Sequence, residues 1–174
     1  VKWDCNRFMT DMYSSAITNQ GEYFHKYELG LYRIIAAIKE RFPNVLFESC
    51  SSGGNRFDLG MIYYMPQTWC SDQTEPCHRV YIQEGTLCGY PQSTMGAHVS
   101  AWKNASYETK FNVACIGAFG YELDPTKWTK EETALIKTQI EYYKAHRRLL
   151  QFGEYRRYDS VFEEAGRGSW IVTS

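Results

Sequence analysis

Asp4 and Asp72 each close an apolar run that contains a tryptophan, VKWD and QTWCSD. Apolar runs that end in polar residues read as buried strands opening into loops, so both carboxylates are expected at strand ends, facing one mouth. A pair of carboxylates so placed can cleave a glycosidic bond. One acts as nucleophile or base, and the other, protonated, gives the leaving oxygen its proton. A separation of about 5 Å would retain the anomeric configuration, and about 6.5 to 9.5 Å would leave room for an inverting water. The bland reading stands beside it: a carboxylate at a strand end also serves as a cap or loop anchor. In a strand, residues two apart share a face, so Lys2 and Asp4 are expected to point the same way, into the interior of a barrel. A neighbouring ammonium favours an ionised Asp4, which suits a nucleophile. Asp72 then takes the acid's part, its proton retained by burial and nearby negative charge. The loop CSSGG at 50–54 reads either as small residues letting backbone N–H groups approach a ligand's hydroxyls or as a tight turn. It lacks the GxxxxGK[ST] pattern of a phosphate loop.

These residues are carried by an alternation of elements. Residues 23–42 place Leu31, Ile34, Ile35, Ile38 and Phe42 on one helical stripe that Pro43 stops. VLFESC (45–50) is a short continuous run of the kind buried on both faces. QTWCSD (67–72), STMGAHVS (93–100) and AFGYELD (118–124) repeat it, with helices expected over 75–90 and 109–118. Thr129 and Glu132 form a capping box for a last helix whose stripe of Ile136, Ile140, Tyr143 and Leu150 runs to Gly153. YRRYDSVFE and SWIVTS, separated by AGRG, then read as an antiparallel β unit.

Strands alternating with helices give the α/β class. With polar residues recurring at strand ends (Asp4, Glu48 to Cys50, Asp72, His98, Glu122, Asp124), the expected architecture is about five strands, the C-terminal half of a (β/α)₈ barrel, over 1–152. The start of a small antiparallel β domain follows over 153–174. A doubly wound sheet is the alternative.

Composition narrows the function classes. At 44% apolar residues the 174-residue chain can bury a core, which excludes a disordered or collagen-like protein. A net charge of −1 argues against phosphate-tracking nucleic-acid binding. No run approaches the roughly 18 apolar residues that span a bilayer. The 16% aromatic content, rich in Tyr, suits clefts for amphipathic ligands such as sugars as well as core and interface. Six cysteines without a CxxC read as reduced, buried thiols of a cytoplasmic protein, and four scattered His supply neither a zinc site nor any other metal or cofactor site. His98 reads as a buried residue or one touching the active mouth, Trp102 as bordering the cleft or an oligomer interface, Asn104-Ala105-Ser106 as a chance glycosylation triplet, and Arg147-Arg148 as helix C-terminal charges.

KWDCNR, HKYELGLYR, FPNVLFESCSSGGNRFDLGMIYYMPQTWCSDQTE, YPQSTMGAHVSA, FGYELD and YKAHRRLLQFGEYRR together resemble the microbial α-galactosidases of glycoside hydrolase family 36, collinearly over about residues 1–158. The resemblance implies retaining hydrolysis of terminal α-galactosides such as melibiose and raffinose on a (β/α)₈ barrel, with Asp4 as nucleophile and Asp72 as acid/base. It also implies that Lys2, Trp3, Cys5, Asn6, Cys50, Ser51, Ser52 and Gly53 line the galactose site, and that the enzyme is a homo-oligomer, a tetramer. The family usually has Met at the position of Cys5 and Asp or Asn at that of Gln73. It carries further sugar-binding residues upstream of KWD, an acidic pair, an Arg and a Trp, so the chain is expected to be a C-terminal piece of a longer enzyme. Alternatives are a silent fragment that needs its missing half, or a specificity for N-acetylgalactosamine or for galactosyl transfer.

Overall fold

The computed structural model describes residues 1–6, 10–163 and 168–174. Arg7 of the KWDCNR motif and part of AGRG lie outside them. The chain divides into two compact units, Val1–Thr68 and Trp69–Ser174.

In the first unit β1 (Lys2–Asp4), β2 (Glu48–Cys50) and β3 (Gln67–Thr68) form a parallel sheet in the order β1-β2-β3. The register aligns Lys2 with Glu48 and Gln67, Trp3 with Ser49 and Thr68, and Asp4 with Cys50. The crossover from β1 to β2 contains α1 (Tyr23–Arg41), and that from β2 to β3 contains α2 (Leu59–Tyr64). Leu31 and Ile35 of α1 pack with Phe47, Met61 and Met65, and Trp3, Tyr32, Ile38, Val45 and Tyr64 close around them.

The stripe expected on α1 is narrower than its sequence pattern. Leu31 and Ile35 are buried, whereas Ile34 is 54% and Phe42 50% exposed. Ile34 sits a full residue step, about 100°, from Ile35 around the axis. Phe42 is the C-cap, outside helical geometry, its N–H bonding the Ile38 carbonyl at 2.9 Å. The expected strand 45–50 is also shorter: only Glu48–Cys50 join the ladder, while Val45 and Phe47 serve the core and Leu46 is exposed. The helix α2 answers to no expectation from the sequence. Asp58 caps it, accepting from the Met61 N–H at 2.9 Å.

In the second unit α3 (Pro76–Leu87) starts at the N-cap Glu75 with Pro76 in its first turn. β4 (Gly96–Val99) and β5 (Ala118–Tyr121) pair in parallel, joined through α4 (Tyr107–Ala114), whose N-cap is Ser106. Gly117 enters β5 at φ +120°, where a Cβ would come within 2.5 Å of the Met95 carbonyl oxygen. Only glycine fits there. α5 (Lys130–Phe152) begins with the expected capping box of Thr129 and Glu132 and packs Ile136, Tyr143 and Leu150 inward. Met95, Phe111, Cys115, Ile116, Tyr143 and Leu150 form the core of the unit. After α5 the chain turns antiparallel, β6 (Glu154–Asp159) against β7 (Ser169–Thr173). Buried Glu84 of α3 ties the end of β6 in place, accepting from the Val161 N–H at 3.0 Å and pairing with Arg157 at 3.1 Å.

Alternating strands and helices with parallel pairing in both units make this an α/β fold. All six cysteines are free, as expected, but not all are buried: Cys77 and Cys88 are exposed, because each lies on the solvent side of the α3 segment. Among the described residues no helix is long and apolar enough to cross a membrane, and no cluster of His, Cys, Asp or Glu could hold a metal.

Candidate active site

The parallel ladder of the first unit puts Lys2 and Asp4 on one face of β1, opposite Glu48 and Cys50 of β2 and Gln67 of β3. The Lys2 ammonium stands 3.5 Å from the half-buried Glu48 carboxylate, which also accepts from the Gln67 amide. Lys2 thus has a carboxylate partner across the strand, at Glu48, in addition to its expected neighbour Asp4. Cys50 is in register with Asp4 across the ladder, so its thiol lies on the carboxylate's face of the sheet. Burial pushes this thiol's pKa up, and the Asp4 charge adds to it against the opposing pull of the Gly53 N–H and Lys2. Cys50 therefore remains a neutral thiol.

The CSSGG loop is a turn whose strain is held by its neighbours. Ser52 has φ +46° and Gly53 φ +80°, and the serine costs about 1 to 2 kcal/mol in that left-handed conformation. The Ser52 N–H donates to Asn6 Oδ1 at 2.7 Å, the Ser51 N–H to the Gly53 carbonyl at 2.9 Å and the Ser51 hydroxyl to the Cys5 carbonyl at 2.5 Å. The Cys5 N–H in turn donates to the Cys50 carbonyl at 3.1 Å. Arg56 fastens both strand ends, Nη2 reaching the carbonyls of Trp3 at 3.0 Å and Cys50 at 2.6 Å.

Among the sequence candidates, then, Lys2, Asp4 and Cys50 share a face. Cys5, Asn6 and Ser51 are engaged in holding the turn formed by Ser52 and Gly53. Trp3 points the other way, half-buried, its ring 6.3 Å from Phe47. Glu48 and Arg56 are the residues that sequence reasoning left unassigned. The Arg of SSGGNRFD is a visible signal, but its acceptors lie up to 53 positions away.

In the second unit Asp72 follows Trp69 by three residues and accepts from its indole Nε1–H at 3.1 Å. Asp72 is exposed, not buried as the sequence suggested, because it lies in the open loop before α3 rather than in a strand. Trp69 itself is buried. The His98 ring of β4 packs on it with centroids 4.6 Å apart, and the Arg79 guanidinium of α3 lies 4.6 Å from the same ring centroid. A desolvated guanidinium over an indole stabilises by about 2 kcal/mol. Arg79 is fully buried and fixed by donating to the Gly96 carbonyl at 2.8 Å and to Cys70 Sγ at 2.9 Å. His98, read from the sequence as a core or mouth residue, faces this tryptophan and lies 3.9 Å from Glu122. The loop between Asp72 and α3 is anchored by Glu75. Burial alone would raise its pKa, but the His78 N–H at 2.9 Å, the Asn104 amide and the His78 ring draw it down to about 2. Asn104, the acceptor of the chance triplet, uses its amide in that contact.

The Melibiase family model matches residues 1–153. The chain belongs to the Melibiase family. As a member it is 52% identical to the alpha-galactosidase AgaA of Geobacillus stearothermophilus, the match covering 100% of this chain and 25% of that protein. It is 42% identical to Alpha-galactosidase 1 of Pediococcus pentosaceus over the same shares. The crystal structure of the alpha-galactosidase from Lactobacillus brevis superimposes with a TM-score of 0.94 at 50% identity, over 99% of this chain and 24% of that one. AgaA variants in complex with raffinose and with stachyose superimpose with a TM-score of 0.94 at 50% and 51% identity, over 99% of this chain and 25% of theirs. This Melibiase chain thus spans about a quarter of the length of the relatives it matches.

Proposed function

We propose that the chain supplies both catalytic carboxylates of a retaining α-galactosidase longer than itself, acting on galacto-oligosaccharides such as melibiose and raffinose. The observation that carries this reading is the likeness, at TM-score 0.94 and 50% to 51% identity, to alpha-galactosidases, some of them in complex with raffinose or stachyose. Asp4 attacks the anomeric carbon while Asp72 gives its proton to the departing glycosidic oxygen, leaving galactose esterified to Asp4. Asp72, now a carboxylate, takes a proton from water as the water oxygen displaces Asp4, and both residues return to their starting states.

The other residues take supporting parts. Lys2 and Cys50 meet sugar hydroxyls on the Asp4 face. Cys5, Asn6 and Ser51 hold the turn that presents the backbone of Ser52 and Gly53, and Trp3 backs β1 from the core side. The parallel strands over 1–152 form the C-terminal half of a (β/α)₈ barrel, with 153–174 beginning a small β domain. The enzyme is a cytoplasmic homo-oligomer, a reading supported by the unbridged cysteines and by the family resemblance. The 174 residues by themselves are inactive, since half a barrel leaves strand edges open and part of the sugar site unfilled.

The test is Asp4→Asn in the full-length enzyme. Melibiose hydrolysis falls by more than about a thousandfold with the fold intact, as expected for loss of a covalent nucleophile. Wild-type turnover in that variant overturns the reading.

A further inference from the structure

Asp72 lies outside every strand, and among the described residues the indole N–H of Trp69 is the one hydrogen-bond donor it has. An exposed carboxylate on a loop samples several rotamers. Proton delivery requires one of them, with the proton on the oxygen that faces the leaving group. The indole bond meets that need, since a donor at Oδ1 assigns the transferable proton to Oδ2. Its precision depends on how firmly the indole is held.

The structure provides two groups for holding it. Arg79 is 2% exposed, its guanidinium carbon 4.6 Å from the Trp69 ring centroid, and it reaches past the ring to the Gly96 carbonyl and Cys70 Sγ, while its Nε finds no hydrogen bond. A buried arginine with an unpaired Nε is costly in a core. It is placed by its contact with the ring rather than by full satisfaction of its donors. His98 approaches the same ring from β4, at 4.6 Å and a tilt of 36°. Gly96 and His98 both lie on β4, so one strand anchors the guanidinium and carries the imidazole.

We infer that Arg79 and His98 are positioning residues for Asp72, acting through the indole of Trp69. This rests on the reading of Asp72 as the acid/base and extends it to two groups that pack on the ring holding Asp72.

The experiment compares two substrates in the full-length enzyme, melibiose, whose leaving group needs a proton, and a dinitrophenyl α-galactoside, whose leaving group does not. Asp72→Asn is the control: kcat/KM collapses for melibiose and is nearly retained for the aryl galactoside. If it does not, the underlying reading has failed, independently of Arg79. With that control in place, Arg79→Met lowers kcat/KM for melibiose about tenfold and for the aryl galactoside less than about twofold, a fraction of the general-acid contribution. Trp69→Phe keeps a ring for the stack and removes the N–H. In that background Arg79→Met adds no further melibiose-selective loss, because the link through which it acts is gone. His98→Ala reproduces the selective loss at smaller size and serves if Arg79→Met does not fold. Equal losses on both substrates, or losses that add fully in the Trp69→Phe background, overturn the inference and leave the Asp72 assignment standing.

Discussion

The two candidate carboxylates are held in opposite ways. Asp4 ends a strand whose every residue is paired in a parallel ladder, with Cys50 of the neighbouring strand in register beside it. Asp72 sits in a loop, and an indole from three residues earlier holds it. A nucleophile must reach one fixed carbon, and a ladder fixes it by backbone geometry. An acid/base must serve a departing oxygen and then a water, and a side-chain bond holds it while leaving the loop some freedom. Backbone conformation thus determines the first carboxylate and packing around one aromatic ring the second.

The difference can be broken or sharpened by substitution in the full-length enzyme. The largest contrast is between Asp4→Asn, which abolishes turnover of all substrates, and Asp72→Asn, which spares kcat/KM for activated aryl galactosides. Steady-state kinetics on both substrate types checks it, and an equal loss for both variants erases the distinction. Next, Cys50→Ala removes the neutral thiol in register with Asp4 and lowers kcat by about tenfold, roughly the worth of one hydrogen bond on the Asp4 face. Its KM changes less, which initial rates against substrate concentration would reveal.

Asn6→Ala frees the left-handed Ser52 backbone. It lowers stability by about 1 kcal/mol, readable in denaturant unfolding, with a rise in KM and little change in kcat. The smallest effect concerns the loop of Asp72. The carboxyl of Glu75 titrates near 2 in the folded protein against an ordinary 4.5. A carboxyl depressed by folding stabilises above its unfolded pKa and loses that contribution as pH falls through the folded value. Thermal unfolding midpoints therefore fall between about pH 4.5 and 2, and Glu75→Gln flattens that part of the curve.

What the sequence revealed was what local chemistry encodes. The capping box of α5, its buried Ile136, Tyr143 and Leu150 and the switch to antiparallel pairing after Gly153 depend on residues within a turn or two of each other, and the structure has them where periodicity places them, while Ile140 of the expected stripe is only half-buried. The helix α2 was hidden because six residues hold too little periodicity, and its one signal, the Asp58 cap, is equally a loop residue. Ile34 and Phe42 looked like core because a sequence stripe does not state how wide the partner surface is. Asp4 and Lys2 could be placed on one face from strand alternation, whereas Cys50 joins them only through the register of β1 with β2. The bond from Asn6 to Ser52 and the Arg56 clamp could not, since they join residues 46 and 53 positions apart that only the folded sheet brings together.

The direct test of the pairing itself is the carboxyl separation of Asp4 and Asp72 in a crystal structure of the full-length enzyme. A retaining pair is expected at about 5 to 5.5 Å across the bound galactose ring. A separation of about 6.5 to 9.5 Å, with a water seated between carboxylate and anomeric carbon, would contradict double displacement through Asp4.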